Sequence, residues 1–245
     1  MRKLQECIDA MPLIAVLRGL PAQDALSVGQ TLIDSGFTVL EVTLRMKTDG
    51  LYPIHPEALR SLELLITHFG EQAHITAGTV KDVADIEPLK RLRVETVLAP
   101  NFNPEVVAAA RSQGIDFIPG IETLDDAKAA FEAGAIGLKV FPCFVKAVEG
   151  GQAECRHSPD FIRTLADAVP LPAYPSGGID WLKAPSYMAS GAKGINVGGD
   201  LYTPERSLAD IEERARQFVR AVTPFSQPFR NEPASDRPTI QGPLS

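Results

Sequence analysis

LDDAKAAFEAGAIGLKVFP, residues 124–142, contains one complete unit of the chain's organisation. Its first part, 124–133, has the spacing of an amphipathic helix, and Gly134 stands where such a helix stops. The apolar run Gly137-Leu138-Lys139-Val140-Phe141 follows, and it has the length and composition of a buried strand. The same rhythm recurs on both sides. Strands are expected over 13–17, 39–44, 74–77, 96–99, 116–118, 137–141, 172–174 and 194–197. Helices are expected between and after them, over 22–35, 57–69, 83–92, 104–113, 124–133, 159–168, 181–189 and 207–222. Gly36, Gly114 and Gly191 repeat the helix stop seen at Gly134. Strands alternating with helices imply a parallel sheet with right-handed crossovers, and eight such units close into a (β/α)8 TIM barrel.

A chain of 245 residues fits one such barrel, expected over 1–222 with a short N-terminal amphipathic helix. The remainder, 223–245, carries five prolines and is expected to be irregular or extended, packed on its own barrel or on a neighbouring subunit. Net charge is −7, with no basic patch, which argues against a nucleic-acid partner. No apolar span reaches the ~18 residues of a membrane helix and no signal peptide is evident, so a cytoplasmic location is expected and no membrane partner. Cys7, Cys143 and Cys155 form no CxxC motif, and the four histidines show no ligand spacing. Neither a disulfide framework nor a metal site is expected, and no cofactor.

In a TIM barrel the C-terminal ends of the strands build the active site. Read in order, those ends carry Arg18-Gly19, then Glu41 with Thr43 and Arg45, Gly78-Thr79, Pro100-Asn101, Pro119-Gly120, Lys139 with Phe141, Ser176-Gly177-Gly178 and Gly198-Gly199-Asp200. Lys139 is the charged residue of an apolar strand. Its ammonium is costly to desolvate, and its neutral amine is a nucleophile that can form a Schiff base with a carbonyl. Glu41, flanked by Leu40 and Val42, faces the same cavity and suits a general acid/base role. A buried structural ion pair is the alternative. Arg18 and Arg45 could clamp a substrate carboxylate. The glycine pairs after the seventh and eighth strands stand where these barrels bind phosphate through backbone N–H groups, although tight turns alone also use glycine pairs. The insertions 46–56 and 143–158 follow the second and sixth strands, on the active-site face.

Together these motifs resemble the class I aldolases that cleave 2-keto-3-deoxy-6-phosphogluconate (KDPG) or its galactonate epimer, related to 4-hydroxy-2-oxoglutarate (KHG) aldolase. PLIAVLRG (12–19), LEVTLR (40–45), AGTV (77–80), APN (99–101), LKVFP (138–142), SGGI (176–179) and GGDLY (198–202) carry the resemblance, which covers about residues 11–222. It implies Lys139 as Schiff-base lysine and Glu41 as general acid/base. It implies Arg45 and Thr79, with Arg18 nearby, as binders of the pyruvyl portion, and Pro100 and Phe141 as further lining. Ser176, Gly177, Gly178, Gly198 and Gly199 would form the phosphate and hydroxyl subsite. The implied partner is a small phosphorylated keto-deoxy sugar acid, and the implied assembly a homotrimer. Ser176 and the EVTLR motif point to the gluconate-derived substrate, LRG and APN to the galactonate-derived one. The first is expected to be preferred, with the galactonate epimer or 4-hydroxy-2-oxoglutarate as alternatives. Other phosphate-binding barrel enzymes, such as a sugar-phosphate epimerase or thiamine-phosphate synthase, are rival readings, as is a non-catalytic keto-acid-binding barrel.

Overall fold

The structure, a computed structural model, describes residues 1–46, 54–145 and 154–226. A short helix α1, Leu4–Ala10, precedes the first strand. The barrel strands are β1 (Leu13–Arg18), β2 (Val39–Thr43), β3 (His74–Gly78), β4 (Thr96–Leu98), β5 (Asp116–Ile118, resuming as Gly120–Ile121), β6 (Leu138–Val140), β7 (Ala173–Pro175) and β8 (Ile195–Val197). The helices that return the chain are α2 (Ala25–Asp34), α3 (Ala58–Phe69), α4 (Ile86–Arg91), α5 (Pro104–Ser112), α6 (Leu124–Glu132), α7 (Pro159–Ala168), α8 (Ala184–Ala189) and α9 (Leu208–Val222).

The strands run parallel in the order β8-β1-β2-β3-β4-β5, and β5 continues through β6 to β7. A parallel bridge between Ser176 and Asn196 joins the end of β7 to β8 and closes the barrel. The expected (β/α)8 barrel is therefore present. Local departures have local causes. Pro119 has no N–H for the ladder, so β5 breaks there and resumes at Gly120. The helix expected from residue 181 starts at Ala184, because the Asp180 carboxylate accepts from the Lys183 N–H at 2.9 Å and holds 180–183 as a turn. A 3-10 turn, Ala22–Asp24, leads into α2.

Both faces of every strand are covered, and the alternation of side chains sorts the core into two parts. Leu13, Ala15 and Leu17 of β1, Leu40 and Val42 of β2, Ile75 and Ala77 of β3, and Leu138 and Val140 of β6 point outward against the helices. Ile14, Val39, Leu98, Ile118 and Tyr174 point inward and meet Leu4, Cys7 and Ile8 of α1, which plugs the N-terminal end. The layer above this plug holds Glu41 and Lys139, both buried.

Of the first expected insertion, 47–53 lie outside the described residues, as do 146–153 of the second. The flanks of the second form a small antiparallel pair, Phe144–Val145 with Glu154–Cys155. The expected tail is described only to residue 226, as a 3-10 turn Thr223–Phe225, so its expected packing falls outside the described residues.

The plug makes a stability prediction. Ile118 is fully buried in it, so Ile118→Ala should cost about 2–5 kcal/mol of unfolding free energy, through lost transfer energy plus the cavity left behind. Urea denaturation checks this, and a loss below ~1 kcal/mol would mean the plug does not brace the barrel.

Candidate active site

The inward-facing residues of β2 and β6 meet across the barrel. Lys139 Nζ lies 3.2 Å from Glu41 Oε1 and 3.3 Å from Oε2. Glu41 is 0% exposed and Lys139 6%. Asn196, from β8, donates from Nδ2 to Glu41 Oε2 at 3.2 Å. Glu41 fits because β3 ends in glycine. A Cβ on Gly78 would sit 1.8 Å from Glu41 Oε1. Gly120 serves a similar purpose on β5, where a Cβ would meet the Pro100 carbonyl oxygen at 2.2 Å.

Above this pair opens a cavity of about 580 Å³ at the C-terminal end of the strands. It is lined by Arg18, Thr79, Pro100, Lys139, Phe141, Ser176, Gly177, Gly178, Gly198 and Gly199, all sequence-predicted. Thr79 holds a positive φ of 57°, an uncommon backbone for a residue with a Cβ, directly on the cavity wall. Gly177 and Gly178 take φ of 94° and 70°, and a Cβ on Gly178 would strike Phe144 Cβ at 2.6 Å. Only glycine gives that turn without collision.

Arg45 is placed differently from its expected clamp role. It does not line the cavity. Its Nη2 lies 2.6 Å from both Asp82 and Asp85, and its Nε 3.3 Å from Asp85 Oδ2. Asp85, 1% exposed, also accepts from the N–H groups of Lys81 and Asp82. Arg45 therefore ties the end of β2 to the loop that follows Thr79.

Val16, Phe144, Ile179, Asp180, Asn196, Asp200 and Thr203 also line the cavity and were given no role from sequence. Asn196 carried a readable signal: like Glu41 and Lys139, it is a polar residue between two aliphatic neighbours on a barrel strand. Asp180 and Asp200 came with the SGGI and GGDLY motifs but as flanking residues. Burial pushes the Asp200 carboxyl above the usual range despite Arg214, 3.6 Å away. For Asp180 burial acts upward too, but its hydrogen bonds and ion pair with Lys183 hold it below the usual range.

The segment after Lys139 is braced from below. His157 bonds the Pro142 carbonyl at 2.7 Å through Nδ1 and the Glu122 carbonyl at 2.8 Å through Nε2. The Tyr187 hydroxyl donates to the His157 carbonyl at 2.6 Å. Cys143 is buried, and burial pushes its thiol up to about 12, which makes it a poor nucleophile. Among the described residues no group of three or more His, Cys, Asp or Glu could hold a metal ion.

A buried amine beside a buried carboxylate, at the floor of a cavity with a glycine-rich rim, is an arrangement with a nucleophile and a proton acceptor in reach of one bound carbonyl. Comparison with known families agrees: residues 4–213 match the family model described as "Aldolase: KDPG and KHG aldolase". The chain belongs to the KDPG and KHG aldolase family. Members of this aldolase family are lyases. The Escherichia coli (strain K12) 2-dehydro-3-deoxy-6-phosphogalactonate aldolase is 29% identical, the match covering 86% of this chain and 94% of that protein. A probable enzyme of the same name from Rhizobium meliloti (strain 1021) is 33% identical, covering 83% and 88%. A solved structure described as native KDPGal superimposes with a TM-score of 0.75 at 29% identity, covering 88% of this chain and 96% of that one.

The geometry at Gly78 yields a prediction. Gly78→Ala should fold but push the Glu41 carboxylate off its present position. A displacement of about 1 Å at a reacting centre costs on the order of 10²-fold in rate. Circular dichroism and an aldolase assay check it, and a folded variant with undiminished activity would show that Glu41 need not stand there.

Proposed function

We propose that the protein is a class I aldolase that cleaves a 2-keto-3-deoxy-6-phospho sugar acid to pyruvate and glyceraldehyde 3-phosphate. The observation that carries this reading is Lys139 Nζ on the floor of the cavity, 3.2 Å from Glu41, on a residue only 6% exposed. An amine there is shielded, and its proton has a near acceptor.

The chemistry follows from those positions. The Lys139 amine adds to the C2 ketone, and the carbinolamine loses water to give an iminium. Glu41, directly or through water, takes the proton of the C4 hydroxyl. The C3–C4 bond breaks, its electron pair flows into the iminium, and the aldehyde leaves. The remaining enamine is protonated at C3, and water hydrolyses the imine to release pyruvate and Lys139. Proton transfer by a placed carboxylate is worth about 10²–10⁴-fold. Arg18 and Thr79 line the same cavity as Lys139 and are the residues assigned here to the pyruvyl carboxylate. With Arg45 engaged by Asp82 and Asp85, its contribution is to hold the Thr79 loop. The N–H groups around Gly177, Gly178, Gly198 and Gly199 receive the phosphate. A homotrimeric assembly is part of the same family reading.

For the epimer, two observations pull apart. Both relatives at 29% and 33% identity bear the galactonate name, and this supports the galactonate-derived substrate. Ser176 lines the cavity with a hydroxyl able to bond a substrate hydroxyl, and this supports the gluconate-derived one. Likeness over 83–86% of the chain outweighs one side chain, so we take the galactonate-derived epimer as the better substrate. Cleavage of the gluconate-derived epimer is the second reading.

Two experiments test this function. Borohydride with pyruvate should inactivate the protein and add a pyruvyl-derived mass to the peptide bearing Lys139. Glu41→Gln should still be trapped while losing on the order of 10²–10⁴-fold in turnover. Labelling of another lysine, or a Glu41→Gln variant that turns over normally, would remove the mechanism.

The second experiment compares kcat/KM for both epimers in wild type and Ser176→Val. A hydrogen bond made to one epimer is worth roughly 0.5–1.5 kcal/mol, or about 2- to 13-fold. Ser176→Val should reduce gluconate-derived cleavage by that factor and leave the galactonate-derived rate close to wild type. A wild-type preference for the gluconate-derived epimer that the substitution abolishes would establish the second reading instead.

A further inference from the structure

The cavity floor holds one more polar side chain than the mechanism has used. Asn196 is 1% exposed, lines the cavity, and comes from β8, which pairs with β1 on one side and reaches Ser176 on the other. Its Nδ2 donates to Glu41 Oε2 at 3.2 Å. Its Oδ1 is buried and has no hydrogen-bond partner among the described residues. The amide orientation is set by chemistry: an ionised carboxylate only accepts, so the nitrogen must face Glu41 and the oxygen must face elsewhere. A buried amide oxygen without a partner carries a desolvation penalty, which a cavity water or ligand hydroxyl relieves.

We propose that Asn196 is a positioning residue for Glu41 and for the water that Glu41 activates. The proposal rests on the Schiff-base reading and deepens it. Before substrate binds, Lys139 contacts both carboxylate oxygens of Glu41. Once Nζ is bonded to C2 it has at most one N–H left, and that bond no longer fixes the carboxylate. The Asn196 amide is not consumed by the reaction and keeps Oε2 in place through every covalent stage. In the last stage a water gives one proton to Glu41 while its oxygen bonds to C2 of the imine. Its second O–H donates to Asn196 Oδ1, which leaves the lone pair aimed at C2. The carbinolamine then collapses: Glu41 returns its proton to Nζ, the C2–Nζ bond breaks as the C2 hydroxyl becomes the ketone and gives its proton to Glu41, and pyruvate and the free amine separate. The same placement governs proton transfer at C3, because one carboxylate serves both steps.

Exchange of the pyruvate methyl protons with deuterated solvent reads this out, since it needs only imine formation and C3 proton transfer. Asn196→Leu keeps the shape and removes both polar atoms. Asn196→Asp keeps the acceptor but replaces the donor with a second carboxylate beside Glu41. Both should lose about 10- to 100-fold in exchange and in kcat, as expected for a hydrogen bond to a charged group, with KM within about threefold of wild type. Lys139, the cation bonded to Glu41, is untouched, so borohydride trapping should persist. Wild-type exchange rates in either folded variant would overturn the proposal. So would failure of both variants to fold, because the amide would then be assigned to stability. If wild type itself is not trapped by borohydride and pyruvate, the Schiff-base reading fails instead, which is a separate result.

Discussion

The contact between Lys139 and Glu41 constrains the rest of the molecule. Two opposite charges are held inside a barrel where neither is more than 6% exposed. Withdrawing such groups from water costs several kcal/mol each, and the attraction repays this only in good geometry with the other lone pairs satisfied. Such a pair adds little to stability over apolar residues of equal volume. Its presence is therefore better explained by chemistry than by folding. Several surrounding features serve this one contact. Gly78 leaves room for the Glu41 carboxylate, and Gly120 lets β5 approach Pro100. The apolar plug beneath keeps water from the N-terminal end, and α1 seals it with Leu4, Cys7 and Ile8.

Polarity rises in steps along the barrel axis. The lowest layer is apolar, apart from the Tyr174 hydroxyl, which burial holds protonated. The next contains the charged pair and Asn196. The rim is glycine and backbone, with Arg18 exposed beside it. The gradient suits a substrate with a reacting ketone at one end and an anion at the other. On the proposed function, the ketone would enter the dry layer, where electrostatic interactions are strong, and the phosphate would remain at the wet rim, where backbone N–H groups meet it at little desolvation cost.

Much of this was legible in the chain. The eight strands stand within a few residues of their expected positions, because a buried parallel strand leaves an aliphatic run bounded by glycine or proline. Lys139 and Glu41 were legible for the same reason: a charge inside such a run has to be explained. Asn196 has the same signature, Ile-Asn-Val beside Leu-Glu-Val and Leu-Lys-Val, but a neutral amide violates the apolar pattern less. Arg45 shows the opposite limit. Its motif placed it near the site, yet its partners Asp82 and Asp85 lie on a different loop, and nothing local announces a bond between residues 40 positions apart. The half-turn before α8 was also hidden, because Asp180 caps by a side-chain bond where a helical pattern had already begun.

The rim raises an electrostatic question, since Asp180 and Asp200 line a cavity whose far end is to receive an anion. Each carboxylate is answered locally. Lys183 pairs with Asp180 and also lies 5.3 Å from the Phe144 ring centroid on the cavity wall. Arg214 sits 3.6 Å from Asp200, and Arg206 donates to the Gly199 carbonyl at 3.0 Å. Both arginines also bind the Asp210 carboxylate at 2.9 Å, so with Arg18 unpaired among the described residues four cations stand against three carboxylates at this end. Lys183, Arg206 and Arg214 reach the rim through paired carboxylates and a backbone carbonyl, while Arg18 lines the cavity itself. A phosphate bound there meets neutral N–H donors first and a net positive field behind them.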